Sequence, residues 1–205
     1  MHQEAIISKA RPVLAKLKNF PEFYLAGGTG LALQLGHRIS IDFDLFTSQN
    51  LPKDLLQKMK KGSPKSKIEV IVKRSEQLTV TINEINLSFI KGYYPVISKL
   101  IDYQGIKVLP AKEIAAMKAY ALGRRATLKD YVDLYFCLKQ GIVSLKNLIE
   151  LAEKKFGEEF DRRLFLEQLV YAQDVEAMAI KFLKEKISKE AIEKFFEQQV
   201  KRLMV

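Results

Sequence analysis

Apolar and polar positions follow two different patterns along the chain, and the pattern changes near Pro110. Before this point, short alternating or continuous apolar runs predict strands; after it, apolar positions recur at helical spacing. We therefore predict an α+β fold with a small mixed β-sheet and flanking helices, followed by a C-terminal helical bundle. The expected domains are residues 1–109 and 110–205, with the functional cleft between them.

The first half is expected to alternate strands with short helices. Apolar runs predict a strand at 23–26, a helix at 29–35 that stops at Gly36, and a second strand that carries Asp42 and Asp44. A helix interrupted or delayed by Pro12 precedes them, and a short one at 52–61 follows. Three alternating runs then predict strands around 68–72, 78–82 and 85–89, and residues 105–109 suggest a short edge strand.

The second half is expected to be helical throughout. Helices are predicted at 111–123 and 128–138, and a third should begin after Ser144 and stop at Gly157. Further helices are predicted around 160–171, 174–184 and 189–203. Such an arrangement predicts a helical bundle that follows the sheet.

Composition and charge narrow the functional classes. No apolar run reaches the roughly 18 residues of a membrane span, and the N-terminus lacks a signal-peptide pattern. With one cysteine, Cys137, no internal disulfide forms, so we expect a cytoplasmic protein without membrane contact. The net charge is +10, and residues 51–75 carry eight basic against two acidic residues, making this segment a candidate for nucleic-acid phosphates.

The candidate chemistry lies between residues 23 and 46. Gly27, Gly28 and Thr29 form a turn that opens a helix, where free backbone N–H groups suit a phosphate. Asp42 and Asp44 are two residues apart on a strand, so their side chains share a face while 41, 43 and 45 face the core. A phosphate turn beside two carboxylates favours metal-dependent chemistry on a nucleotide.

Two segments resemble one family. LAGGTGLALQLGHRISIDFDLF (25–46) and AKEIAAMKAYALGRRATLKDYVDLYFCLK (111–139) are similar to the signatures of AbiEii/AbiGii abortive-infection toxin-like nucleotidyltransferases. That family is a branch of the DNA polymerase β-type nucleotidyltransferase superfamily. The resemblance implies a nucleotidyltransferase core in residues 1–109. It also implies roles for nucleotide-binding residues Gly27, Gly28, Thr29, Arg38 and Ser40, metal-binding Asp42 and Asp44, and further catalytic residues Lys118 and Asp130.

The resemblance further implies transfer of a nucleoside monophosphate from an NTP to an acceptor hydroxyl, with one or two Mg²⁺ ions. The protein would be a toxin with an antitoxin partner and an RNA acceptor, tRNA first. One departure bears on this function: Ser88 stands where many superfamily members supply a third carboxylate, with Asn86 on the same face. Either Asp130 replaces it, or a single Mg²⁺ suffices.

Other interpretations remain open from the sequence. The acceptor could instead be a small molecule or a protein side chain, and the chain could be a catalytically weakened module that binds nucleotide or a partner. Without the motif, Lys118 would be a solvated helix lysine and Asp130 an acid favoured at a helix N-terminus. Asp133 could simply pair with a nearby base, and His37 would be a loop residue.

Overall fold

A seven-stranded mixed sheet occupies the first half of the computed structural model, which describes residues 1–172, 175–176 and 178–203. Its strands are β1 Tyr24–Leu25, β2 Phe43–Thr47, β3 Ile68–Lys73, β4 Gln77–Ile82, β5 Ile85–Lys91, β6 Ile101–Tyr103 and β7 Ile106–Val108. They lie in the order β3-β4-β5-β2-β1-β7-β6. The α+β architecture predicted from the sequence is confirmed.

The central strands set the register of the site. β2 pairs with β1 antiparallel and with β5 parallel, which places Asp44 opposite Ser88. Strands β4 and β5 form a tight hairpin: Asn83 and Glu84, between them, both adopt positive φ, at 50° and 69°. Two consecutive left-handed residues are typical of the tight turns whose twist matches paired strands.

Eight helices are described, and most predicted stops are confirmed. They are α1 Arg11–Lys16, α2 Gly27–Leu35, α3 Leu55–Lys61, α4 Ala111–Leu122, α5 Leu128–Lys139, α6 Leu145–Phe156, α7 Arg162–Val170 and α8 Lys189–Leu203. Gly36 ends α2 in the left-handed conformation at φ 64°. Ser144 Oγ accepts from the Asn147 amide at 3.1 Å and caps α6, which ends at Gly157.

Helix α2 connects two apolar clusters. Leu33 packs into the cluster formed by the sheet and the N-terminal helices, whereas Leu31 and Leu35 pack with helices α4 to α8. Buried Cys137 belongs to the second cluster, as a small apolar side chain would. Because α2 contributes to both clusters, the site at its N-terminus lies where they meet; the domain boundary at 109/110 stays a prediction.

Three local predictions are wrong. The described residues between 175 and 184 form no helix: the chain is extended there, with Ile39 N donating to the Lys181 carbonyl at 2.8 Å. Asp174 and Ala177, in the same predicted helix, lie outside the described residues. Ile41, expected in the core, is 42% exposed because it precedes β2 rather than belonging to it. Strand β6, which was not predicted, takes the sheet edge beside β7.

No helix among the described residues is long and apolar enough to cross a membrane.

Candidate active site

The turn between β1 and α2 brings the backbone against two charged side chains. Gly27 has φ +61°, and a Cβ there would overlap the carboxylate of Asp44. A Cβ at Gly28 would come within 2.6 Å of Arg38 Nη2. The amides in the first turn of a helix have no acceptors within the helix. The two glycines therefore let the free amides of this helix end lie close to both Asp44 and Arg38.

Substituting Gly27 tests this close approach. Gly27→Ala should lower the free energy of unfolding by more than the ~1–3 kcal/mol typical of positive-φ strain, because its methyl group also displaces Asp44. Gly141→Ala is the matched control: φ is +68° there, and a Cβ would meet nothing within 4 Å. Urea denaturation of both variants measures the difference. Equal destabilisation would contradict the overlap with Asp44.

The two predicted metal ligands stand at the start of β2. Asp42 directly precedes the strand and is exposed, and Asp44 lies within it, half-buried. Asn86 Nδ2 donates to Asp42 Oδ1 at 3.0 Å. Burial raises the pKa of Asp44 above its ordinary value despite the nearby charge of Lys118, and Asp42 raises it further. Asp44 thus places a half-buried carboxylate beside the exposed carboxylate of Asp42.

Two neighbouring carboxylates, an all-oxygen donor set, fit a divalent cation. Mg²⁺ is commonly held by one or two carboxylates together with substrate phosphates and water. Ser88, opposite Asp44 on β5, adds no carboxylate; its Oγ lies 3.2 Å from Thr79 Oγ1. In the described part of the chain, no group of three or more His, Cys, Asp or Glu side chains is arranged to hold a metal. Asp42 and Asp44 are therefore the residues that would hold Mg²⁺.

A buried charge network joins the predicted residues of the two halves. Arg38 binds the Asp133 carboxylate through both oxygens, from Nε at 2.7 Å and from Nη2 at 2.9 Å. His37 Nε2 lies 2.7 Å from Asp133 Oδ1, and Lys118 Nζ lies 3.0 Å from Oδ2. Lys118 also donates to Asp130 Oδ1 at 2.6 Å. Asp133, which the sequence offered as a simple ion-pair partner, is the centre of this network.

The charges in this network hold one another ionised. Although burial alone would raise it, Arg38 and Lys118 hold the pKa of Asp133 well below its usual range. Burial likewise opposes the charge of Lys118, but Asp133 and Asp130 raise its pKa. Thr127 Oγ1 donates to Asp130 Oδ2 at 2.7 Å, so both Asp130 oxygens have protein partners. The two oxygens of Asp130 are thus shared between Lys118 and Thr127.

Thr29 and Ser40 connect the phosphate turn with the carboxylates. Thr29 is fully buried, and its Oγ1 lies 2.8 Å from Ser40 Oγ and contacts the Asp42 carbonyl. The Thr29 side chain thus fastens α2 to the residues before β2. Its hydroxyl positions Asp42.

These groups surround one cleft of about 690 Å³. The sequence-predicted residues that line it are Gly28, Arg38, Ser40, Asp42, Asp44, Lys118 and Asp130; Gly27 and Thr29 are not among its lining. None of the residues in the basic segment 51–75 lines it. The fold therefore separates the candidate site from this basic segment.

Sequence reasoning missed three cations of this cleft. Arg125 lies in the loop between α4 and α5, and Lys129 lies in the first turn of α5. Both belong to the second family-like segment, and their basic character was the available signal. Lys181 reaches the cleft through the extended segment that pairs with His37 and Ile39. Nothing local in the sequence indicates that pairing. The cleft is more basic than the sequence predicted.

Comparison with known proteins identifies the family of the chain. A family model described as nucleotidyl transferase AbiEii toxin, Type IV TA system, matches residues 12–204. An uncharacterized protein of Aquifex aeolicus is 31% identical over 185 residues, which is 89% of this chain and 88% of that protein.

Solved structures share the fold. The nucleotidyltransferase toxin MenT4 of Mycobacterium tuberculosis aligns with a TM-score of 0.62 and 17% identity, over 97% of this chain and 86% of its own. JHP933 from Helicobacter pylori aligns with a TM-score of 0.55 and 18% identity, over 98% and 97%. The family match confirms the resemblance seen in the sequence: the chain belongs to the AbiEii nucleotidyltransferase toxin family of type IV toxin–antitoxin systems.

Proposed function

We propose that the cleft transfers a nucleoside monophosphate from an Mg-NTP to an acceptor hydroxyl. The observation that carries this proposal is the Asp42–Asp44 pair directly beside the glycine turn of α2. Triphosphates need both features: backbone donors for phosphate oxygens and carboxylates for the accompanying cation.

Each part of the cleft would have a separate task. The first-turn amide at Gly28, backed by Arg38, binds the outgoing phosphates, while Arg125 and Lys181 face the same cleft and add positive charge. Asp133 fixes Arg38 and Lys118 so that neither cation reorganises during transfer. Bound Mg²⁺ would neutralise phosphate charge and activate the attacking hydroxyl. Positioning and preorganised charge thus supply the catalysis.

For the acceptor, we propose RNA, with tRNA as the first choice, in a cytoplasmic toxin opposed by an antitoxin. The family description and the cations Arg125, Lys129 and Lys181 support a polyanionic acceptor. A small molecule or a protein side chain would need fewer cations. RNA transfer should therefore weaken steeply with salt, whereas transfer to a neutral acceptor should not.

One observation favours a second candidate, a module that binds nucleotide without turnover. Ser88 leaves β5 without a carboxylate beside Asp44, and Lys118 occupies Asp130. Such a module would bind Mg-NTP but release no pyrophosphate.

Pyrophosphate release separates the two candidates. The protein is incubated with Mg²⁺, total RNA and each of the four NTPs in turn, and pyrophosphate is measured over time. We expect release with at least one NTP, dependent on both Mg²⁺ and RNA. Nucleotide binding without any release would reject the transferase and support the module.

A further inference from the structure

A second groove lies at the opposite end of the central strands from the carboxylates. Asn86, at the start of β5, bonds Asp42, whereas Lys91, at its end, donates to Asn50 Oδ1 at 2.9 Å. Five residues of strand separate these points, roughly 17 Å. The groove there, of about 480 Å³, is bounded by the residues before α3 and by the turn between β3 and β4. It is distinct from the proposed active site.

The rim of this groove is cationic and its floor is apolar. Lys53, Lys73 and Arg74 line it, are exposed and, within the described residues, make no ion pair. Half-buried Leu51 and Leu56 contribute apolar surface below them. Three cations without ion-pair partners among the described residues, above an apolar floor, suit a ligand that combines phosphates with planar apolar groups.

An aromatic side chain stands beside the groove. Tyr93 is 65% exposed, with Lys91 Nζ 5.4 Å from its ring centroid. Its pKa is raised because its hydroxyl hydrogen-bonds Glu76, the one acidic residue among the described residues lining the groove. Lys91 in turn donates to Asn50, which lines the groove, so the ring lies beside the groove. The basic segment 51–75 lacks aromatics, but the fold brings one to it.

We propose that this groove binds a single-stranded segment of the RNA acceptor, at a distance from the catalytic cleft. Lys53, Lys73 and Arg74 contact its phosphates, and Tyr93 with the apolar floor stacks against its bases, the combination that holds single strands without sequence preference. The inference rests on RNA being the acceptor under the proposed function. A flat stacking ring favours nucleic acid over an acidic segment of a protein.

The distance between the groove and the carboxylates determines which ligands can contact both. An acceptor must span roughly 17 Å to engage both, so a single nucleotide cannot do so. Loss of the groove should therefore raise KM for a long RNA and leave kcat, and the affinity for Mg-NTP alone, unchanged.

The test measures binding of a labelled single-stranded RNA of about 12 nucleotides by fluorescence anisotropy. The variant K53Q/K73Q/R74Q is compared with K112Q/K146Q/K154Q, which removes equal charge from exposed positions on α4 and α6. We expect the first to bind at least about 10-fold more weakly than the second. Its log–log salt dependence should be less steep by about 2, from ~0.7 for each of three lost phosphate contacts.

A pair of Tyr93 variants separates stacking from charge. Tyr93→Phe keeps the ring and loses the bond to Glu76, whereas Tyr93→Ala loses both; only the second should weaken RNA binding several-fold. The proposal would be overturned if the two triple variants weakened RNA binding equally. It would also be overturned if the K53Q/K73Q/R74Q variant bound RNA as the wild type does but bound an acidic peptide more weakly. Pyrophosphate release is measured separately, so a groove that binds RNA without any transfer would reject only the transferase.

Discussion

Asp44→Asn should reduce nucleotide transfer by on the order of 10³-fold, the loss typical when one preorganised electrostatic group is removed from an active site. The amide keeps the size and polarity of the side chain but cannot hold a cation as a carboxylate does. The stability of the Asp44→Asn variant should not be lower than that of the wild type. Burial and Asp42 raise the pKa of Asp44, so its ionised form costs the folded state free energy that asparagine avoids.

Activity and stability of this variant are measured together. Initial rates at saturating NTP are compared with thermal unfolding, and Asp54→Asn, an exposed aspartate at the start of α3, is the control. Asp44→Asn should lose activity with an equal or higher unfolding temperature, and the control should change neither. A variant that keeps more than about a tenth of the wild-type rate would remove Asp44 from the reacting centre.

Asp133→Ala should produce the largest loss of stability, about 3–5 kcal/mol. The fully buried Asp133 binds Arg38 through both oxygens and also meets Lys118 and His37. Removing the carboxylate leaves two buried cations without their shared counter-charge. Asp130→Asn should cost less, because Asp133 remains to pair with Lys118.

The pH dependence of this effect has a definite sign. Because the pKa of Asp133 is held well below its ordinary value, its contribution is complete above about pH 4 and is lost as pH falls through the lowered pKa. The difference in unfolding free energy between wild type and Asp133→Ala should therefore shrink on acidification. Urea denaturation at pH 7 and at successively lower pH measures it. A difference under about 1 kcal/mol at pH 7 would contradict the network.

The features that could be predicted from the sequence are those that depend on a short stretch of residues. The glycine turn and the stops at Gly36 and Gly157 each depend on neighbouring residues and appear where the sequence predicts them. Of the paired aspartates, Asp44 lies on β2 as predicted, and Asp42 directly precedes it. The position of Ser88 was also predictable, because strand alternation decides which side chains of β5 share a face with Asp44.

What could not be predicted depends on contacts far apart in sequence. His37 and Arg38 meet Asp133 across more than 90 residues, so local spacing could not reveal that one carboxylate serves three partners. The stretch 178–183 has apolar residues at helical spacing but satisfies backbone groups of His37 and Ile39 instead, which overrides its helical preference. Lys181 enters the cleft only through that pairing.

The intact mass of the RNA after reaction tests the central proposal most directly. Purified tRNA is incubated with Mg²⁺, each NTP and either wild-type protein or Asp44→Asn, and its mass is determined by mass spectrometry. We predict that wild type adds the mass of a nucleoside monophosphate, dependent on Mg²⁺, and that Asp44→Asn does not. An unchanged mass with every NTP, or the same addition by Asp44→Asn, would contradict nucleotide transfer to tRNA at the Asp42–Asp44 site.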